Sequence, residues 1–329
     1  MTRKLPCNVY LAAASADERG GIYHCKFDGE KLTVANFYHI DRPMYLCVDS
    51  DKLYVLLRGL TPGGTDSGMF VWDIAPDGSL SNPTAPVSTE GLCACHISVL
   101  DGVPYAVNYL SGNVVRFGGE NFAVDAIARH EGTGPHPTRQ EAAHTHFVRP
   151  TPDGKYLFAV DLGIDTVFTY DKDLKRVSHA HVPAGEGCRH LDYSADGRYV
   201  YCANELGSSV TVFANDGGVL TALGTYPALP EGYSEPSTAA AIRVADDGSA
   251  VYVSHRGMNT VAALPVLADS KLGAPAFVDI GGDSPRDFLI VDGVLIVTNE
   301  KTNNVTMYRD GVKLACELSM PNPLCVVVK

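Results

Sequence analysis

The sequence predicts an all-β fold, a seven-bladed β-propeller, on the basis of three observations. An Asp-Gly dipeptide recurs between two apolar runs that alternate with polar residues, and a third apolar run follows each copy. Asp-Gly between such runs is a strong hairpin signal because a tight turn needs positive φ angles. No window of comparable length shows a sustained helical period of apolar residues. We expect residues 1–329 to form one propeller domain.

The repeat itself is clear in five copies and degenerate in a sixth. The copies read HISVLDGVPYAVNY, HFVRPTPDGKYLFAVDL, HLDYSADGRYVYCANEL, AIRVADDGSAVYVSHRG and DFLIVDGVLIVTNEK, preceded by YLCVDSDKLYVLLRG. The turn aspartates stand at Asp51, Asp101, Asp153, Asp196, Asp247 and Asp292. Four short strands repeated every 40 to 50 residues are typical of propeller blades.

The two ends of the chain supply the seventh blade. The closing segment PNPLCVVVK matches the first strand of a blade, and the opening segments NVYLAAAS and GGIYHCKFD match the second and third strands. Joining them in one composite blade removes the open sheet edges that would otherwise promote aggregation. Six or eight blades are the alternatives to seven.

Composition and charge narrow the possible partners. The formal net charge is −12, which argues against nucleic acid and anionic membranes, since both need a surplus of Lys and Arg. No apolar run is long enough to span a membrane, and the first residues are too weakly apolar for a signal peptide. We expect a cytoplasmic protein whose partner is a small molecule, with its oligomeric state left open.

The nine cysteines are predicted to be free thiols, because their number is odd and most stand in apolar strand sequences. Cys93 and Cys95 form a C-x-C without a second pair, and His136, His144 and His146 lack a helical metal-binding spacing. We therefore expect no metal and no other cofactor.

Polar residues are expected to converge at one face of the disc. Residues equally far from a hairpin turn lie side by side, so the positions five to seven residues before each turn and seven to nine residues after it should ring the mouth of the central channel. The ring contains Arg58, His96, His146, Arg189, His190, Glu205, Arg256 and Arg286, with His255, Asp161, Asp287, Glu300 and several asparagines. Arginines bind carboxylate or phosphate, and imidazole with carboxylate supplies acid and base near neutral pH.

A structural role is the alternative for each of these positions taken singly. Asp161 is interpreted as a strut between blades. The residues that correspond to Arg189, Glu205 and Arg256 in other copies of the repeat vary in type. A structural strut should recur in every blade, so this variation favours a functional role for these three residues. The His-, Pro- and Gly-rich segment 128–146 lengthens one connection, as functional loops often do.

Three runs resemble the bacterial lactonase family of seven-bladed propellers: HTHFVRPTPDGKYLFAVDLGIDTVFTYD, GCRHLDYSADGRYVYCANELGSSVTVF and SPRDFLIVDGVLIVTNEKTNNVTMY. This family includes the propeller type of 6-phosphogluconolactonase and, more distantly, carboxy-muconate cyclase. The resemblance implies that His146, Arg189, Glu205 and Arg256 are catalytic. Cys188 replaces a usual proline, and Ala239 to Ala241 replace a usually polar blade start.

The function expected from this resemblance is hydrolysis of an anionic sugar lactone, such as 6-phosphogluconolactone in the pentose phosphate pathway. Glu205 or His146 would activate water, and an arginine would hold the oxyanion. Substrate binding is assigned to Arg58, His96, His144, His190 and Arg286. The alternatives are a muconate-type lactonising cycloisomerase and a non-catalytic propeller that binds a ligand or protein.

Overall fold

The structure, a computed structural model, describes residues 5–329, and its only helix within that range is one 3-10 turn at Ala268–Ser270. Seven sheets of four or five strands surround a central channel. No helix among these residues is long and apolar enough to cross a membrane. The predicted seven-bladed, all-β propeller is therefore confirmed.

The strands follow the chain from blade to blade. Blade 1 begins with β1 (Cys7–Ala13), β2 (Gly21–Phe27) and β3 (Leu32–His39). Blade 2 holds β4 (Pro43–Asp49), β5 (Lys52–Leu57), β6 (Asp66–Ile74), β7 (Leu80–Ser81) and β8 (Val87–Leu92). Blade 3 holds β9 (Ala94–Leu100), β10 (Val103–Asn108), β11 (Asn113–Gly118) and β12 (Ala123–Arg129). Blade 4 holds β13 (Thr145–Pro150), β14 (Leu157–Asp161), β15 (Thr166–Tyr170) and β16 (Arg176–His181).

The remaining strands complete the ring. Blade 5 holds β17 (Cys188–Tyr193), β18 (Tyr199–Asn204), β19 (Ser209–Asp216) and β20 (Val219–Pro227). Blade 6 holds β21 (Thr238–Val244), β22 (Ala250–Arg256), β23 (Thr260–Pro265) and β24 (Ala276–Asp279). Blade 7 holds β25 (Pro285–Val291), β26 (Val294–Asn299), β27 (Asn304–Arg309), β28 (Val312–Lys313) and β29 (Leu318–Ser319). The last strand, β30 (Pro323–Val328), pairs with β1, so the sheet order of blade 1 is β3-β2-β1-β30.

The predicted hairpins are present, and they have two lengths. In blades 3 and 7 the Asp-Gly pair is the whole loop, and both of its residues have positive φ angles, 53° and 77° at Asp101 and Gly102. This is the geometry of a type I′ turn, which matches the twist of the flanking strands. In blades 4, 5 and 6 the loop is longer, and of the Asp-Gly pair only the glycine has a positive φ angle.

The first strand of each blade lines the central channel. These seven strands contact one another around a closed circle, in the order β30, β4, β9, β13, β17, β21, β25 and back to β30. A separate apolar cluster fills each of the seven interfaces between neighbouring blades. Closure through the composite blade 1 is confirmed, because β30 and β1 contribute Val326 and Leu11 to one interface and Cys325 and Tyr10 to the other.

Charged pairs link neighbouring inner strands below the channel mouth. Arg149 of β13 pairs with Asp192 of β17 at 2.6 Å, and Arg243 of β21 pairs with Asp287 of β25 at 2.7 Å. The predicted strut role of Asp161 is also confirmed, since its carboxylate lies 2.7 Å from the Nδ1 atom of His130, which follows the last strand of blade 3. These pairs fix the blades around the channel.

Candidate active site

A β-bulge at the same position of the inner strands builds the throat of the channel. In six blades one inner-strand residue is left unpaired between two register positions, and these residues are Leu324, Met44, Cys95, His146, Arg189 and Arg286. In blade 6 the irregularity spans Ala240 and Ala241. A bulge re-aims its extra side chain. The six residues line one narrow space together with Tyr45 and His190.

Above the throat lies a cavity of about 290 Å³, which we call the mouth cavity. Its polar walls come from the bulges of the inner strands, from the ends of the second strands and from the long connection before blade 4. The lining residues are Met44, Arg58, Cys93, Cys95, Tyr109, Arg139, His146, Glu205, Arg256 and Arg286. Ligand sites are usually concave spaces of this kind with a few convergent polar groups.

Glu205 is the centre of the charge cluster in the mouth cavity. It follows the end of β18, and its Oε1 atom accepts a hydrogen bond from Arg139 Nη2 at 2.5 Å. Its Oε2 atom lies 2.9 Å from Arg189 Nε and 2.8 Å from Arg256 Nη2. Burial of this carboxyl opposes its ionisation, but the guanidiniums of Arg256, Arg189 and Arg139 prevail and hold the pKa of Glu205 well below its usual range.

The arginines around Glu205 are held by further contacts. Arg256 Nη2 also donates to the carbonyl of Ala239 at 3.1 Å. Arg189 Nη1 donates to His190 Nε2 at 3.1 Å, so His190 must carry its proton on Nδ1. Burial and the neighbouring Arg256 lower the pKa of Arg189, which still remains a cation at neutral pH.

His146 stands beside this cluster as a buried neutral imidazole. Burial, followed by the positive charge of Arg189, holds its pKa well below 6.5. Its ring meets Tyr109 edge to face at 5.6 Å and lies 5.2 Å from the ring of His190. Within residues 5–329 its Nδ1 atom has no hydrogen-bond partner. A neutral imidazole at the wall of a cavity is the kind of group that can take a proton from water.

The structure brings together most of the residues that the sequence analysis singled out. Arg58, His146, Glu205, Arg256 and Arg286 line the mouth cavity. Arg189 and His190 lie directly below it in the throat.

Two of the nine residues assigned to the site lie elsewhere. His96 lines a separate cavity of about 260 Å³ at the opposite end of the channel, packed against Phe147 with ring centroids 3.9 Å apart. It is one residue past the bulge, so Cys95 takes the throat position in blade 3. His144 stacks behind Tyr109, with ring nitrogens 3.1 Å from the Tyr109 carbonyl and 3.1 Å from Glu141 Oε1.

Arg139 and Tyr109 line the mouth cavity but were not predicted from the sequence. Arg139 comes from segment 128–146, and its Nη2 atom reaches both Glu205 and, at 3.4 Å, the hydroxyl of Tyr109. The irregular composition of that segment was the available signal, but it could not indicate which residue points inward. Among residues 5–329 no three His, Cys, Asp or Glu side chains are arranged to hold a metal ion.

The fold and this cluster define a propeller with an arginine-rich, histidine-containing site at the mouth of its channel. Comparison with known proteins narrows this class. The chain belongs to the lactonase family of seven-bladed β-propellers, whose family model, described as "Lactonase, 7-bladed beta-propeller", matches residues 8–328. The predicted resemblance and the predicted enzyme class, a lactonase, are thereby confirmed.

Individual relatives cover nearly the whole chain. A 6-phosphogluconolactonase of Bacillus subtilis is 31% identical over 343 residues, which span 96% of this chain and 97% of the relative. Among solved structures, a Lactobacillus plantarum protein has a TM-score of 0.89 at 29% identity and covers 98% of this chain and 99% of its own. The periplasmic gluconolactonase of Pseudomonas aeruginosa has a TM-score of 0.86 at 26% identity, with 98% of each chain covered.

Proposed function

We propose that this lactonase hydrolyses an anionic aldonolactone, with 6-phosphogluconolactone as substrate and 6-phosphogluconate as product. The observation that carries the proposal is the cluster of Arg139, Arg189 and Arg256 beside the neutral His146, within a chain of net charge −12. Arginines gathered in an otherwise acidic protein favour an anionic ligand. The B. subtilis relative is named for this activity.

In the proposed mechanism His146 is the general base. Its neutral imidazole accepts a proton from a water molecule as the water oxygen attacks the lactone carbonyl. Glu205 is a weak candidate for this role, because both of its oxygens are engaged by guanidiniums and its pKa is held far below neutral pH. Glu205 instead fixes the positions of the arginines.

The arginines stabilise the oxyanion that forms during the attack. Arg256 and Arg189 are fixed by Glu205 before the substrate arrives, so little reorganisation is needed when charge develops. The tetrahedral intermediate then collapses, the bond between the carbonyl carbon and the ring oxygen breaks, and protonated His146 gives its proton to that oxygen. The products are a hydroxyl group and a carboxylic acid, which releases a proton to solvent at neutral pH.

We also place this reaction in the cytoplasm, as a step of the pentose phosphate pathway. Eight cysteines are free thiols in the structure, and four of these are buried, namely Cys25, Cys188, Cys202 and Cys325. Unpaired thiols in this number are typical of a reducing compartment.

The test is an assay of the purified protein on freshly prepared lactones, with spontaneous hydrolysis subtracted. We expect hydrolysis of 6-phosphogluconolactone and loss of about 10²–10⁴-fold in kcat for His146→Ala, since a general base typically contributes this much. Arg198→Gln, which removes a largely exposed arginine that pairs with Asp196 and lies over the Tyr199 ring, is the control and should retain wild-type kcat. Binding of lactones without turnover would instead support a non-catalytic propeller.

A further inference from the structure

A second space opens beside the mouth cavity, and we call it the outer cleft. It has a volume of about 350 Å³ and lies between blades 1, 2 and 7. Met44, Arg58 and Arg286 line both the outer cleft and the mouth cavity, so the two spaces adjoin along these side chains. The remaining lining residues of the outer cleft are Ala14, Arg42, Glu300, Asn322 and Leu324.

Arg58 differs from every other arginine around the two spaces. Arg139, Arg189 and Arg256 are engaged by Glu205, and Arg286 pairs with Glu300 at 3.2 Å. Arg42 is held by Asp41 at 3.1 Å and by the carbonyl of Gly64. The exposed guanidinium of Arg58, in contrast, makes no hydrogen bond or ion pair with any residue of the described range 5–329.

The outer cleft therefore carries positive charge that no ion pair within residues 5–329 neutralises. Glu300 offsets Arg286 and Asp41 offsets Arg42, which leaves the charge of Arg58 uncompensated at the boundary of the two spaces. The chain as a whole is strongly acidic, so this local excess attracts anions to one place on the surface. The planar guanidinium of Arg58 carries a fork of donors that matches the oxygens of phosphate or carboxylate.

We propose that the outer cleft is the subsite for the anionic group of the substrate, with Arg58 as its direct ligand and Arg286 as the second. The proposal rests on the lactonase function proposed above. The lactone carbonyl would lie in the mouth cavity near His146, and the phosphate would extend past Met44 into the outer cleft. Arg58 is then the residue that determines specificity for a phosphorylated over a neutral lactone.

The test compares two substrates in three proteins. The ratio of kcat/KM for 6-phosphogluconolactone to kcat/KM for glucono-δ-lactone is measured for the wild type, Arg58→Gln and Arg198→Gln. We expect Arg58→Gln to lower this ratio by about 10- to 100-fold, as for loss of a charge-assisted hydrogen bond. Arg198→Gln should leave the ratio at the wild-type value. An unchanged ratio in Arg58→Gln would overturn the assignment.

Failure of the proposed function gives a different result from failure of the subsite. If the wild type hydrolyses neither lactone, the lactonase proposal fails, and the subsite is tested by titrating inorganic phosphate calorimetrically. Weaker phosphate binding to Arg58→Gln than to Arg198→Gln would support the subsite, and equal binding would refute it. If the wild type hydrolyses both lactones with equal kcat/KM, the subsite is refuted while the lactonase function stands.

Discussion

At the scale of single residues, the site depends on the balance between burial and ion pairing at Glu205. The side chain of Glu205 is 3% exposed, and that of Arg189 is equally buried. Taking such charges out of water is expensive, and close pairing offsets the loss. The pairing leaves Glu205 ionised and immobile, which suits a residue that positions arginines better than one that moves protons.

This balance predicts a large stability loss in Glu205→Gln. The amide keeps the shape but leaves buried guanidiniums without their counter-charge, so we expect unfolding free energy to fall by about 3–5 kcal/mol at pH 7. The folded pKa of Glu205 lies below its unfolded value of about 4.3. Its stabilisation is therefore fully present above about pH 4.3 and is lost as pH falls through the folded pKa.

Denaturant unfolding at pH 7 measures this difference, with Arg198→Gln as a control that removes an exposed ion pair and should have little effect. The activity of Glu205→Gln should also fall, with a lower kcat and a higher KM, because the three arginines lose their anchor. A variant as stable as the wild type would contradict the role of Glu205 as the anchor.

The state of His146 predicts the pH dependence of the reaction. Only the neutral imidazole can accept a proton, so the rate should fall as pH decreases through its pKa. Burial and Arg189 hold that pKa below 6.5, and the acid limb of kcat/KM should accordingly have its midpoint below pH 6.5. A bound anionic substrate offsets the positive charge of the arginines and so raises the pKa of His146. Because kcat reports the enzyme–substrate complex, its acid limb should lie at higher pH than that of kcat/KM.

The measurement is a pH profile between pH 4.5 and 7.5, corrected for spontaneous hydrolysis at each pH. In His146→Ala the residual activity should lose this limb. If the limb persisted unchanged in His146→Ala, another group would have to be the base.

At the scale of the strand, the repeated bulge explains which parts of the site could be predicted from the sequence. Hairpin symmetry correctly brought Glu205 and Arg256 to the same end of their blades as His146. The hairpins have two lengths, however, so the turn aspartate stands one residue further from the bulge in blades 4 and 5 than in blade 3. The window of five to seven residues before the turn therefore contains both Cys95 and His96, and the prediction took the polar His96 where the throat residue is Cys95.

The positions of the Arg139 and His144 side chains could not be predicted from strand register, because both residues lie in a loop. Arg139 reaches Glu205 from a connection without strand periodicity, so no register argument applies to it. His144 precedes β13, and its ring turns away to stack on Tyr109 rather than following the inward direction of His146. The alternation of apolar and polar residues predicts the course of a strand and the face to which each side chain points. The orientation of loop side chains depends instead on contacts that form only in the folded chain.

At the scale of the whole molecule, the propeller depends on closure by its last strand. The turn spacing and the matching ends of the chain were sufficient to predict seven blades and the composite blade 1, because both follow from strand pairing alone. Strand β30 pairs with β1 and contacts both β4 and β25, so it belongs to two blade interfaces. The backbone N–H of Val326 also donates to the Asp287 carboxylate at 3.2 Å.

Removal of residues 323–329 should therefore unfold or aggregate the protein. The deletion strips buried Leu324, Cys325 and Val326 from the interfaces and exposes the edge of β1. Burial of a Leu or Val side chain contributes about 1.5–3 kcal/mol, and the summed loss is comparable to the ~5–15 kcal/mol stability of a typical domain.

Thermal unfolding and the soluble fraction measure the effect of the deletion. Lys329→Ala, which removes the ion pair with the largely exposed Asp51 but keeps the backbone hydrogen bond from Lys329 to the Asn8 carbonyl, is the control and should keep the wild-type Tm. A soluble 1–322 protein with an unchanged Tm would show that the ring does not need its last strand to close.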